Sequence, residues 1–184
     1  MFLSHLRSRR SFLFSKLPKV SIGAEIGVWR GDFSMEILSR ARPRELHLID
    51  PWQFAPSLPG RLYGGREAKS QSDMDQIYQS VVDRFERRRQ VRIHRASSRD
   101  AAASFPNGFF DWVYIDGDHS YEAVWQDLND WSSKVKSGGL VIGDDYTWRD
   151  EFGAESVRKA VGEFMNFRSI NRVLIKHDQF VLTV

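Results

Sequence analysis

Acidic residues close the apolar runs of this chain, and any chemistry has to start from them. Glu25 lies in AEIGVWRG, Asp50 ends ELHLID, Asp116 ends FDWVYID ahead of Gly117-Asp118-His119, and Asp144-Asp145 ends LVIGDD. A carboxylate can accept hydrogen bonds from ribose hydroxyls, take a proton as a general base, or ligate a hard cation. Asp116, Asp144 and Asp145 gathered in one place would repel unless a cation neutralised them, and oxygen donors suit Mg²⁺, Ca²⁺ or Mn²⁺. Asp118 and His119 stand beside them as candidate bases. The same aspartates could instead cap turns and helices, with His119 in an ordinary polar pocket, and spacing alone leaves both readings open.

A second group points to a nucleotide. Gly27 and Gly31 follow Glu25 in an E-x-G-x-x-x-G pattern, which differs from the G-x-G-x-x-G of dinucleotide enzymes. An acid closing the next strand, here Asp50, accepts from the ribose of an adenosine-type ligand. Ser98, after the third strand, is a candidate for the adenine edge, with helix capping as its plainer role.

A sheet must hold these residues. Ile22 to Val28, Glu45 to Asp50, Val91 to His94, Phe110 to Asp116 and the run after Gly138-Gly139 read as strands. Helical spacing separates them over residues 32–41, 75–89, 97–105 and 122–135, with another helix from about Ala154 to Phe167. Five such alternations predict a mostly parallel α/β sheet with helices on both faces. Two more strands, Ile170 to Ile175 and Gln179 to Thr183, lie too close together for a parallel crossover and predict an antiparallel C-terminal hairpin, seven strands in all. Ligands bind at the carboxyl ends of such strands, where Glu25 to Gly27, Asp50, Asp116 and Asp144-Asp145 all fall.

Composition narrows the class. The 184 residues suit one domain, and 41% hydrophobic with 28% charged residues is ordinary for a soluble globular protein. No window is apolar enough for a membrane span. The absence of cysteine removes disulfides, thiolate metal sites and a cysteine nucleophile, and fits a cytoplasmic setting. A net charge of +3 comes from scattered arginines without a recognition motif, which argues against nucleic acid.

Residues 1–19 carry basic side chains and no acid. Ser8-Arg9-Arg10-Ser11-Phe12-Leu13 resembles the start of a twin-arginine signal, but Lys16 and Pro18 interrupt the apolar stretch that a signal needs. The segment is read as a basic amphipathic arm ahead of a domain over 20–184, with contact to anionic lipid or substrate as its alternative role. Prolines and glycines across 51–74 predict a long loop, a lid or substrate loop.

AEIGVWRGDFS, LHLIDPW, FDWVYIDGDHSYEAVWQDL and SGGLVIGDDY together resemble the class I S-adenosylmethionine-dependent methyltransferases, in particular the bacterial macrocin-type and catechol-type O-methyltransferases. The resemblance implies a Rossmann-like sheet in which Glu25, Gly27 and Gly31 surround the methionine part of the cofactor and Asp50 holds its ribose. It further implies Mg²⁺ on Asp116, Asp144 and Asp145, with Asp118 as the base on a substrate hydroxyl and His119 as the other candidate. Asp116 also counts among the cofactor-binding residues. The N-terminal region, which caps the substrate or forms a dimer contact in larger relatives, is here reduced to the arm, so a homodimer is left open.

The expected reaction is direct displacement, a substrate oxygen attacking the sulfonium methyl. The acceptor is expected to be a hydroxylated small molecule, a sugar or glycosylated natural product, with Trp52, Tyr63, Tyr146 and Trp148 available to line its site. The competing readings are a metal-independent methyltransferase, a nicotinamide-dependent oxidoreductase and a non-catalytic cofactor-binding module.

Overall fold

The computed structural model describes residues 9–55, 68–150 and 152–184. Its centre is β1 (Ile22–Ile26), β2 (Glu45–Asp50) and β4 (Phe110–Ile115), almost entirely buried because both faces of a central parallel strand are covered. With β3 (Val91–Arg95), β5 (Val135–Gly143), β6 (Val173–Lys176) and β7 (Gln179–Thr183) they form one sheet of order β3-β2-β1-β4-β5-β7-β6. The first five strands pair in parallel, whereas β7 is antiparallel to both β5 and β6. The expected hairpin is present: only His177 and Asp178 join β6 to β7, and both have positive φ, 51° and 68°, as a tight hairpin turn requires.

Among the described residues, five α-helices cover the sheet: α1 (Asp32–Arg40), α2 (Gln71–Phe85), α3 (Ser98–Ala103), α4 (Tyr121–Ser132) and α5 (Ser156–Phe167). Strand side chains alternate between two cores. Ile22, Ala24, Ile26, Val113 and Ile115 face Leu128, Trp131 and Phe164 of α4 and α5. On the other face Leu46, Leu48, Trp112 and Tyr114 meet Ile37, Val81 and Phe85 of α1 and α2, together with Leu13 and Leu17 of the N-terminal arm. Chain order reverses between β1 and β4, so the crevice of this fold opens at their carboxyl ends.

Several boundaries differ from the sequence reading. α2 starts at Gln71 rather than Asp75, because the Ser70 side chain accepts from the Asp73 amide and Asp73 accepts in return from Ser70 Oγ at 3.0 Å. α4 ends at Ser132, not Val135, because Val135 already belongs to β5. β5 itself begins before the Gly138-Gly139 pair: Phe110 pairs with Val135 and Trp112 with Leu140, so the glycine segment bulges out of a continuing strand. A Cβ on Gly139 would come within 2.7 Å of the Asp111 carbonyl oxygen, which is why glycine is needed there. β6 begins at Val173 rather than Ile170. Of the expected loop over 51–74, residues 56–67, including Tyr63, lie outside the described residues, as do 1–8 of the arm.

Candidate active site

The cofactor-side loop is built by backbone constraint. Gly27 leaves β1 with φ of 89°, and its amide donates to the Ile49 carbonyl at 2.9 Å. A Cβ there would lie 2.0 Å from the Asp116 carbonyl oxygen, so only glycine lets the loop after β1 touch the loop after β4. Trp29 has φ of 54° and Trp52 of 41°, a conformation bulky side chains seldom adopt. Asp50 holds both in place. Its Oδ2 accepts from the Val28 and Trp29 amides at 3.0 and 2.9 Å, and its Oδ1 from the Trp52 amide at 2.8 Å. Trp52 Nε1 completes the clamp by donating to the Trp29 carbonyl at 2.8 Å.

Gly31, with φ of 74°, starts α1 without a side-chain cap. Glu25 lies beneath, accepting from Ser34 Oγ at 2.5 Å. Burial pushes its carboxyl up to about 8, against the opposing pull of Ser34 and Arg10, so Glu25 is largely neutral at pH 7.

The acids of β4 and β5 do converge, and the cation beside them is part of the chain. Arg10 Nη2 donates to Asp116 Oδ2 at 2.9 Å and to Asp144 Oδ2. Its guanidinium lies 4.6 Å from the Phe33 ring centroid and 5.6 Å from that of Tyr114. Tyr114 OH donates to Asp144 Oδ2 at 3.1 Å and Gln179 Nε2 to Asp144 Oδ1 at 3.2 Å. Asp144 is thus enclosed on every side.

Asp145, at φ of 54°, turns its carboxylate the other way, to 3.4 Å from His119 Nε2. Asp116 Oδ1 is 3.8 Å from the same nitrogen. His119 Nε2 is buried without a hydrogen-bond partner. One ligand atom each from Asp116, His119 and Asp145 lies within 4.8 Å of the others. The donor set that geometry assembles therefore contains His119 where the sequence reading placed Asp144.

Charge follows this division. Burial favours protonated Asp116, but Arg10 and His119 hold its carboxyl below the usual range. Burial and Asp116 push Asp144 up despite Arg10. Asp145 rises to about 6 through burial and its two acidic neighbours. Burial lowers the His119 imidazole, yet the surrounding aspartates outweigh it and raise its pKa overall.

The remaining candidates occupy other positions. Asp118 is exposed, and its Oδ1 accepts from the Ser120 amide at 2.7 Å just ahead of α4. The cap of α3 is Ser97 rather than Ser98. Ser98 Oγ donates to Asp127 Oδ1 at 2.5 Å and accepts from Trp131 Nε1 at 2.8 Å, joining α3 to α4. Trp52, read as a lining residue, is instead fully buried, 5.1 Å from the Tyr78 ring. Trp148 does flank the site, its ring 5.5 Å from His119.

Sequence reasoning missed Arg10, which lies 106 and 134 residues from its partners, so no local pattern links them. The usable signal was indirect: three converging acids call for a cation.

A methyltransferase-domain family matches residues 24–146, from β1 through the acids after β5. The chain belongs to this methyltransferase family. Among solved structures, the O-methyltransferase NovP superposes with a TM-score of 0.64 at 22% identity, covering 98% of this chain and 78% of NovP. A putative caffeoyl-CoA O-methyltransferase from Staphylococcus aureus gives 0.63 at 14% identity, covering 100% of this chain and 84% of that one. At these identities the likeness is one of fold, the class I S-adenosylmethionine-dependent methyltransferase fold. A curated relative, an uncharacterized protein of Acanthamoeba polyphaga mimivirus, is 44% identical over 43 residues, which is 23% of this methyltransferase chain and 19% of that protein. Among the described residues no helix is long and apolar enough to cross a membrane.

Proposed function

We propose that this methyltransferase transfers the methyl group of S-adenosylmethionine to a hydroxyl oxygen of a small molecule, a sugar or glycosylated natural product, with a hard divalent cation assisting. The observation that carries the reading is the contact between the Gly27 turn and the Asp116 backbone. It sets a glycine loop of the cofactor-binding type directly beside a cluster of acids and an imidazole.

S-adenosylmethionine supplies an activated methyl, so the protein's main task is alignment. The uncapped amides at the start of α1 suit the methionine carboxylate. Asp50 fixes the loop around the ribose side of the cofactor through the Val28, Trp29 and Trp52 amides, while Ser98 shapes the adenine side through Asp127 and Trp131. Asp116, His119 and Asp145 fit a hard cation, and the unpartnered His119 nitrogen supports that fit. Such an ion would lower the pKa of a bound hydroxyl. Asp118, exposed and oriented by the Ser120 amide, receives the hydroxyl proton, and His119 is the other base in the metal-independent variant. Trp148 offers an aromatic face to a sugar ring.

The test is calorimetry with S-adenosylhomocysteine and NAD in parallel, followed by methyl transfer from labelled cofactor to a panel of glycosides before and after chelation. Binding of S-adenosylhomocysteine alone and chelator-sensitive transfer are expected. NAD binding in its place would overturn the reading. Transfer that survives full chelation would favour the metal-independent variant, for which the Arg10 contact with Asp116 and Asp144 speaks.

A further inference from the structure

We propose that Arg10 and a divalent cation are alternative counter-ions of the Asp116–Asp144 pair, so that the docked N-terminal arm is a built-in cation that a metal displaces. The inference rests on the reading of the acid cluster as the acceptor side of the site.

One nitrogen of Arg10 bridges Asp116 Oδ2 and Asp144 Oδ2, the position a cation shared by these carboxylates would take. With Arg10 there, Asp144 is also held by Tyr114 and Gln179 and has nothing left to offer. A metal can then reach only Asp116 Oδ1, Asp145 and His119, close to a fixed positive charge. The three-carboxylate set of Asp116, Asp144 and Asp145 is complete only after Arg10 leaves.

The arm is docked at two points, and one of them is incompletely satisfied. Arg10 Nε is buried without a partner, so the docked state leaves one donor unsatisfied. Arg9 fastens the other side, pairing with Asp178 of the β6–β7 turn at 2.8 Å and donating to the His177 carbonyl at 3.3 Å. Asp178 Oδ1 in turn accepts from the Thr147 amide at 2.6 Å, in the segment that follows Asp144-Asp145. The arm thus touches the site at the acids and at the turn that supports their loop.

The experiment measures Mn²⁺ affinity by electron paramagnetic resonance for the wild type, Arg10→Gln, Arg10→Lys and Arg9→Gln. Removing a fixed unit charge at contact distance should tighten Mn²⁺ at least about tenfold in Arg10→Gln. Arg10→Lys keeps the charge and should stay near the wild type, and Arg9→Gln, which only loosens the arm, should fall between them.

On the wild type itself, saturating Mn²⁺ should accelerate tryptic cleavage after Arg9 and Arg10, read by mass, and this arm needs no folded variant. Equal Mn²⁺ affinity in the wild type and a folded Arg10→Gln, or cleavage unchanged by Mn²⁺, would overturn the proposal. S-adenosylhomocysteine calorimetry on the same wild-type sample separates the two claims. Its failure would sink the methyltransferase reading and leave the metal–arm exchange to its own result.

Discussion

Gly27 carries two constraints at once, a positive φ and a backbone contact, and they can be measured apart. Gly138 shares the first, with φ of 80°, but an added Cβ there meets nothing within 4 Å. Gly138→Ala should therefore cost about 1 kcal/mol, the strain alone, while Gly27→Ala adds a backbone collision and should cost at least about 3 kcal/mol. Urea unfolding compares the two, and equal costs would remove the argument for a forced contact between the loops. Asp127 gives a second test. Burial raises its carboxyl to about 7, against the opposing Ser98 bond, so the folded state keeps a proton that the unfolded state loses near pH 4. Stability contributed by that proton is present at low pH and falls as pH rises toward 7. Asp127→Asn, which can still accept from Ser98, should be more stable than the wild type by about 4 kcal/mol at pH 8 and by little at pH 4. Thermal melts at both values decide it. At this scale the sequence named the right residue types but not their partners. Asp50 was legible as an acid at a strand end, whereas its grip on the Val28 and Trp29 amides depends on a loop conformation that no residue pattern encodes.

The order of strands and helices was legible because each buried face writes a period into the chain, and the seven-stranded sheet follows from it. What did not show was where an element begins when a second signal competes. The Ser70–Asp73 cap sits at the edge of a proline- and glycine-rich stretch that reads as loop, and Gly138-Gly139 reads as a turn although β5 runs through it. Such cases are decided by tertiary pairing, not by local preference. Pairing between β2 and β3 also creates an acid-sensitive joint. His47 Nδ1 and His94 Nε2 are 2.9 Å apart, and the edges of Phe105, Phe109 and Phe110 enclose the His47 ring. Burial and His94 lower the His47 imidazole to about 4, so it stays neutral where the unfolded chain takes up a proton. Stability is then present above the unfolded histidine value and is lost as pH falls from about 6.5 toward 4, by about 3 kcal/mol in all. His47→Gln removes this contribution, so its urea midpoint should change less than that of the wild type between pH 7 and pH 4.5. Parallel losses in the two proteins would assign the acid sensitivity elsewhere.

Across the whole molecule, the N-terminal arm connects parts that the chain separates most widely. Leu13 and Leu17 pack into the core of α1 and α2, Arg10 enters the acid cluster, and Arg9 reaches the C-terminal hairpin. The sequence marked the segment as basic and amphipathic, but its destination depends on charges assembled from β4 and β5 and could not be read from the segment itself. If the arm docks as a unit, its apolar and charged anchors must be energetically coupled. Leu13, fully buried in a short 3-10 turn, should cost about 3 kcal/mol when cut to Ala. Arg10→Gln leaves Asp116 and Asp144 facing each other without their counter-ion and should cost a similar about 3 kcal/mol. Either change alone releases much of the arm, so the second has less left to remove. The double variant should fall short of the summed costs by at least about 1 kcal/mol, a coupling that independent sites do not show. Urea unfolding of the four proteins closes the cycle. Strict additivity would mean that the arm is held at separate points, with no common docking event for a bound cation to reverse.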